Sequence, residues 1–532
     1  MKKNQYLKYA LNPVQDFIEP ARTMRDMWAG SYILSYLMAS IIVKLEEFIN
    51  DTDVKFIYPF IDYDNNGILN LIKKKIKNDD ASYSIPNLPN AFLIHYNGES
   101  NLINIAEKLD EYLVAKLEEF AFKISEKIKN SSGIKVAKFH EARFLKQSKS
   151  ILKSQWYVLD ANNAEKEESI ESIEKFFAAS KNTRTFNSWA DATGWNYGEN
   201  FEKDHLNGKE EVVFKAPQDD VQKFFKKNEA LGATTLIKRM FEDAYLKPEY
   251  NDATFFETRY DNDNDSYYAI FAVDGDDMGK LLSGEKNLNG NKHSREEISE
   301  KLLDFSNSTR EIVEKNDGFL IYSGGDDVLA KLPVKKAITC ILDLKDRFTT
   351  LLPGTTISAG IAITHTKMPL QSVVKEARNA EKRAKGTLGK NAIAISILKR
   401  SGEIIHTGFK FDENGLCIHN LIMEYTSKNI LSNGLSYKIL KALDIYQNKS
   451  VNPKSDKAFD DIQDKLYIFE FERMLDQDEH LRQQTEEKKK DVKERLQKEF
   501  EKFVNTKKGE MLFKAIESLF LFIAWQLNPT RR

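Results

Sequence analysis

The chain has 532 residues, 41% of them hydrophobic and 11% aromatic, which is too long for a single core and implies about three or four domains with little disorder. Lys and Arg number 79 against 81 Asp and Glu, so a free-standing nucleic-acid coat is excluded, although a basic strip on one face would not show in the sum. With only Cys340 and Cys417, neither a disulfide framework nor a four-cysteine zinc site can form, which fits a reducing compartment.

The N-terminal MKKNQYLKYALNP has no apolar core of a signal peptide. The longest apolar run, near Leu519–Trp525, is far short of the roughly 20 residues that span a bilayer. A cytoplasmic protein with no membrane partner is therefore expected. Asn12-Pro13 predicts a turn, followed by a long helix through MRDMWAGSYILSYLMASIIVKLEEF. IPNLPNAFLIHY (85–96) reads as a proline-punctuated loop entering a strand, and apolar spacing from Ile103 to Lys129 predicts an amphipathic helix. Between Lys127 and Lys153, eight basic residues (Lys127, Lys129, Lys135, Lys138, Arg143, Lys146, Lys149 and Lys153) are opposed only by Glu141. A solvated helix face and an RNA- or partner-facing strip both fit that pattern. Residues 160–255 are polar and irregular, punctuated by Trp189, Trp195 and Tyr197, and DNDND at 261–265 reads as a linker.

The pattern then sharpens. YYAIFAV (267–273) is a strand and SREEISEKLLDFSNSTREIVEK a helix; FLIY (319–322) and VLAKL (328–332) are strands around a tight turn. KKAITCILDLKDRFTTLL is a helix, ISAGIAI (357–363) a strand, LQSVVKEARNAEKRAK a helix and AIAISI (392–397) a last strand. This α+β order, β-α-β-β-α-β, is the ferredoxin-like split βαβ. Beyond about residue 400 the chain reads as mainly helical, and no internal repeat is visible, although a diverged copy in the first half would escape notice.

The strongest chemical signal is YSGGDDVLA at 322–330. In a split βαβ the first two strands run parallel with the third antiparallel between them. The end of the first strand therefore shares an edge with the turn between the other two. Asp274, which follows YYAIFAV, is thereby expected beside Ser323, Gly324, Gly325, Asp326 and Asp327. Three converging carboxylates suit Mg²⁺ or Mn²⁺, and two such ions can bridge the attacking and leaving oxygens of a nucleotidyl transfer. Gly324 and Gly325, with Gly275 of DGDDMG, would let a nucleotide approach the backbone. The bland alternative is an acidic hairpin turn, because Gly-Asp pairs are ordinary turn formers. Asp276 and Asp277 read as loop or capping residues. Lys382, Lys385 and Lys390 could reach triphosphate oxygens, or could simply end a helix in solvent.

YSGGDDVLA, DGDDMGKLL, SAGIAITHTKMPL and EARNAEKRAK together resemble the palm of the large subunit of type III CRISPR effectors. VQDFIEPARTMRDMWAGSYILSYLM (14–38) and IPNLPNAFL (85–93) narrow the resemblance to the type III-B (Cmr) branch. It implies an RNA-guided antiviral complex with other type III-B subunits, guide crRNA and target RNA as partners. The palm would be a target-activated, metal-dependent nucleotidyltransferase that turns ATP into a signalling nucleotide. By that resemblance Asp274, Asp326 and Asp327 hold two metal ions and Ser323 lies near adenine, while Lys385 and Lys390 are the lysines expected, from their position after the palm's later helix, to bind the nucleotide. The expected domains are a degenerate palm-like 1–160 facing the catalytic palm, a middle domain 161–260, the palm 261–400 and a helical 401–532. Two departures stand out: no His-Asp dipeptide occurs, so no HD nuclease activity is expected, and the zinc cysteines of many relatives are missing. A catalytically silent scaffold of the same complex and a free-standing nucleotide cyclase are the alternative functions.

Overall fold

A computed structural model of the chain describes residues 3–49, 53–62, 67–74, 87–161, 165–182, 202–219, 223–250, 267–282, 293–411, 414–447, 457–505, 516, 519–520 and 522–523. Trp189, Trp195, Tyr197 and the 261–265 run lie outside the described residues. The strands are β1 (Lys3–Asn12), β2 (Val54–Tyr58), β3 (Ala91–Gly98), β4 (Lys138–Phe139), β5 (Lys153–Asp160), β6 (Phe214–Lys215), β7 (Ala230–Leu231), β8 (Tyr267–Gly275), β9 (Phe319–Gly324), β10 (Asp327–Leu332), β11 (Ile357–His365), β12 (Ala392–Leu398) and β13 (Ile404–Lys410). They form a four-stranded sheet in the order β2-β3-β1-β5, a six-stranded sheet β13-β12-β11-β8-β10-β9 and a small sheet β4-β6-β7.

β8 and β11 are near-continuous apolar runs because the six-stranded sheet is covered on both faces. Alternate side chains of β8 enter different cores. Tyr267, Ala269, Phe271 and Val273 pack with helices Arg295–Lys315 and Ala337–Leu351 and with the C-terminal helices. Tyr268, Ile270 and Ala272 join a second core that continues into the N-terminal sheet through helix Met24–Phe48. That helix is long and apolar enough to cross a membrane, yet 89% of the qualifying stretch is buried inside the molecule. The apolar stretch here is longer than the run near Leu519–Trp525 but is interrupted by serines. Ser31, Ser35 and Ser40 interrupt it to the eye, but all three are buried.

The two large sheets share one strand order. In the first, β1, helix Met24–Phe48, β2, β3, helix Leu102–Asn130 and β5 follow one another, with all neighbours antiparallel. In the second, β8, helix Arg295–Lys315, β9, β10, helix Ala337–Leu351 and β11 repeat the scheme, so β10 lies antiparallel between β8 and β9. The strand order of the first half thus recurs in the second, a likeness that the residues do not display. The two sheets differ at the hairpin. Only Gly325 and Asp326 separate β9 from β10, whereas residues 59–90 separate β2 from β3.

The structure corrects several local readings. β1 precedes the Asn12-Pro13 turn, β2 follows the long helix, and AIAISI is not the last strand because β13 extends the sheet antiparallel to β12. The polar middle contains helix Lys166–Asn182, whose Ile170, Ile173 and Phe177 are buried, and helix Ala233–Phe241. This middle segment is held to the N-terminal unit by buried charge. Arg239 grips Asp26 at 2.5 and 2.8 Å and Glu229 at 3.2 Å, while Arg22 reaches Glu229 at 2.5 Å. The fully buried Lys238 donates to the carbonyls of Phe17 and Pro20 at 2.6 and 2.5 Å, and burial lowers its pKa to about 8.

Arg239→Ala leaves Asp26 buried without its guanidinium, and removal of one partner from such a pair costs about 3–5 kcal/mol. Chemical denaturation is expected to show a loss of that order; a loss under about 1 kcal/mol would mean that the apolar core alone seats the middle segment.

Candidate active site

Register places the aspartates. Val328 pairs with Val273, so one step further along the antiparallel pair Asp327 stands across from Asp274 at the sheet edge. Asp327 also pairs with Gly324, which closes the hairpin over Gly325 and Asp326. Gly325 has φ 69°, a left-handed backbone that favours glycine at the first turn position. A Cβ there would stand 3.8 Å from the Tyr58 hydroxyl, so β2 of the N-terminal unit presents a phenol above the turn.

The carboxylates are crowded. Asp326 and Asp274 lie within hydrogen-bonding reach, and burial together with the Asp274 charge pushes the Asp326 pKa up to about 8. Burial also raises Asp327, although the Arg378 guanidinium 3.7 Å away pulls in the opposite direction. Glu381 is raised by burial as well, opposed by Lys385. The Tyr58 and Tyr322 phenols are raised by burial and then by Asp326 and Asp327 respectively. Asp274 is ion-paired with Lys385, whose ammonium also donates to the Gly275 carbonyl at 3.2 Å and lies 3.4 Å from Glu381 Oε1. Among the described residues no three carboxylate, imidazole or thiol groups are gathered as tightly as an ion would hold them. Like charges repel, and here Asp274 and Asp327 each take a neighbouring side-chain cation, while no ion pair to Asp326 is seen among the described residues.

The remaining residues singled out from the sequence have definite places. Asp276 is buried, and its carboxylate accepts from Thr356 and Ser358 hydroxyls at 2.7 Å and from the Asn391 amide at 2.9 Å, so it braces the loop. Asp277, at φ 59°, pairs with Lys390, and its carbonyl accepts from Leu281 N at 3.0 Å. Lys390 is thus committed to Asp277. The Ser323 hydroxyl is buried and lies 3.0 Å from the Ser306 hydroxyl, fastening the strand end to helix Arg295–Lys315. Lys382 is exposed.

Arg378, Glu381 and Tyr58 were not singled out. The first two were legible as a stripe with Lys385, since positions 378, 381 and 385 fall on one helical face. No local signal pointed to Tyr58.

Two segments of the chain match family models. Residues 267–394 match the second palm domain of Cas10/Cmr2, and residues 6–131 match the N-terminal part of the CRISPR-associated protein Cmr2. These two segments of the chain are thus similar to two domains of Cas10/Cmr2 proteins. The CRISPR system Cmr subunit Cmr2 of Pyrococcus furiosus is 30% identical over 294 residues, covering 48% of this chain and 31% of that protein. The match thus spans about a third of the length of that Cmr2 relative. Among solved structures, type III-B Cmr-beta bound to cognate target RNA aligns over 89% of this chain and 78% of its own, with TM-score 0.62 and 13% identity. The apo state of Cmr-beta gives 0.60 over 89% and 77%, at 14% identity. At such identities the likeness is one of fold. The fold is mixed α+β and similar to that of the Cmr-beta subunit.

The Asp326 carboxyl binds its proton more tightly in the folded protein than in the unfolded chain, where its pKa is near 3.9. Between pH 4 and about 8 the unfolded chain loses that proton first, so this group makes the cation-free protein less stable as pH rises. In chelator, Asp326→Asn is expected to melt above the wild type at pH 8, with the gap closing towards pH 4. A gap that stays constant with pH would show that Asp326 is not crowded.

Proposed function

We propose that this chain is the large subunit of an RNA-guided type III-B CRISPR complex and a target-activated nucleotidyltransferase that makes a signalling nucleotide from ATP. The observation that carries this reading is the pair of facing carboxylates, Asp274 and Asp326, in the segment that matches the second palm domain. Two carboxyl groups crowded at a sheet edge, one of them with its pKa raised by the other, contribute nothing to a core and point to a functional site. The first four strands of each large sheet are read as split βαβ palms, the N-terminal one degenerate. β1 ends in Leu11-Asn12, without a carboxylate, and its hairpin is replaced by residues 59–90. The units proposed are 1–160, 161–260, 261–400 and 401–532. Guide crRNA, target RNA and other type III-B subunits are the partners this reading requires.

The donor set fits a hard divalent cation, because a surplus of carboxylate is what such an ion relieves. Asp274, Asp326 and Asp327 would hold Mg²⁺ or Mn²⁺, which would neutralise the triphosphate and make a ribose hydroxyl a better nucleophile. The protein's own groups do the rest. Lys385 and Arg378 bring positive charge to phosphate oxygens, Gly325 leaves the turn backbone open, and Tyr58 limits the space above it. In the reaction a ribose oxygen bonds to the α-phosphorus of ATP and pyrophosphate leaves. The product is a cyclic or linear oligoadenylate, or AMP joined to another acceptor such as S-adenosylmethionine.

A silent scaffold is the second reading, favoured by the ion pairs Lys385–Asp274 and Arg378–Asp327, which satisfy two of the aspartates without a metal. The double variant Asp326→Ala, Asp327→Ala separates the two. Incubated as the assembled complex with labelled ATP, Mn²⁺ and target RNA, it is expected to lose nucleotide synthesis while assembly and target RNA cleavage persist. Undiminished product from the variant would overturn the assignment of these aspartates.

A further inference from the structure

Lys385 ends helix Leu370–Lys385, and its ammonium is surrounded by oxygen: the Asp274 carboxylate, the Gly275 carbonyl at 3.2 Å and Glu381 Oε1 at 3.4 Å. Two carboxylates and a backbone carbonyl are the donors a hard cation takes. We propose that Lys385 is an internal counter-cation that occupies the cation position at Asp274 until a triphosphate draws it off, so that the metal ion settles there only together with the nucleotide. This rests on the preceding reading of the site, and it adds Glu381 to the residues that face the ion.

The parts of the cage differ in freedom. Glu381 is fixed by the seat of its helix. A Cβ at Gly360 on β11 would lie 2.0 Å from the Glu381 amide nitrogen and 2.2 Å from the Ala377 carbonyl, so helix and strand touch there backbone to backbone. Arg378, on the same face two turns before Lys385, addresses Asp327 rather than Asp274. Lys385 is the movable member. It is a point charge on a four-carbon stem in the last helical turn, about a quarter exposed, with the exposed Gly386 next in the chain. When it turns to solvent, an Asp274 oxygen and Glu381 Oε1 are released together while the rest of the cage stays in place. A triphosphate supplies the anionic oxygens that make this turn favourable. A divalent ion arriving alone must instead displace an ammonium from its ion pair without bringing the anionic oxygens that would receive it.

The test is Mn²⁺ binding to the purified full-length chain, followed by electron paramagnetic resonance with and without a non-hydrolysable ATP analogue. In wild type the analogue is expected to tighten Mn²⁺ binding strongly. Lys385→Gln removes a unit charge beside the ion, so it should bind Mn²⁺ alone at least about tenfold more tightly than wild type and gain little from the analogue. Lys385→Arg keeps the charge and should keep the wild-type dependence. Glu381→Gln should bind more weakly in both conditions. Melting curves in chelator establish that each variant is folded. If Asp274→Asn abolishes binding while Lys385→Gln leaves Mn²⁺ affinity unchanged, the displacement idea fails and the metal site stands. If Asp274→Asn binds Mn²⁺ as wild type does, the reading of the site itself fails.

Discussion

Helix Met24–Phe48 is buried along most of its length because it serves two sheets at once. Its side chains share one core with Leu7, Tyr9, Phe92 and Ile94 of the N-terminal sheet and with Ile270, Ala272, Phe319 and Ile321 of the six-stranded sheet. Each large apolar side chain removed from water this way contributes about 1.5–3 kcal/mol. Its start is set by a capping box between Thr23 and Asp26, and the same Asp26 receives Arg239 from the middle segment. One element therefore fixes three parts of the chain against each other. Around it, the Phe60 amide donates to the Ser299 hydroxyl at 2.7 Å and the Asn87 amide to Asn307 at 2.9 Å, both on helix Arg295–Lys315.

The carboxylate cluster inherits its geometry from that packing. Asp274 comes from the end of β8, Asp326 and Asp327 from the β9–β10 turn, and Glu381 and Lys385 from a helix resting on β11. Gathering like charges works against folding, and the cluster is tolerated because each backbone element is held by core contacts elsewhere. Arg378 and Lys385 offset part of the repulsion, and Asp326 keeps the remainder. Tyr58 reaches the turn only because the two sheets are packed together.

The six-stranded sheet was legible up to β12, since near-continuous apolar runs, a Gly-Gly-Asp-Asp turn and helical spacing are local signals. β13, an edge strand with exposed Ile404 and His406, carries too weak an alternation to be read. The N-terminal sheet was mostly hidden. β1 and β2 are short or lysine-bearing, and the long insertion after Tyr58 conceals a hairpin that its partner sheet makes with two residues. The middle segment read as irregular because its stability comes from Arg239, Lys238 and the shared core, none of which leaves a periodic trace.

The sequence led to the expectation that Asp274 lies beside Asp326 and Asp327, because a split βαβ order puts the end of its first strand and the β9–β10 turn at one edge, and the strand register agrees with it. It could not determine which lysine answers which aspartate. Lys385 and Lys390 look equivalent in the chain, yet helix placement at Gly360 brings one to Asp274 and a left-handed backbone at Lys390 brings the other to Asp277. Those pairings, and the approach of Tyr58, depend on contacts between segments tens to hundreds of residues apart. Only the tertiary structure decided them, because no local propensity encodes the distance between two packed sheets.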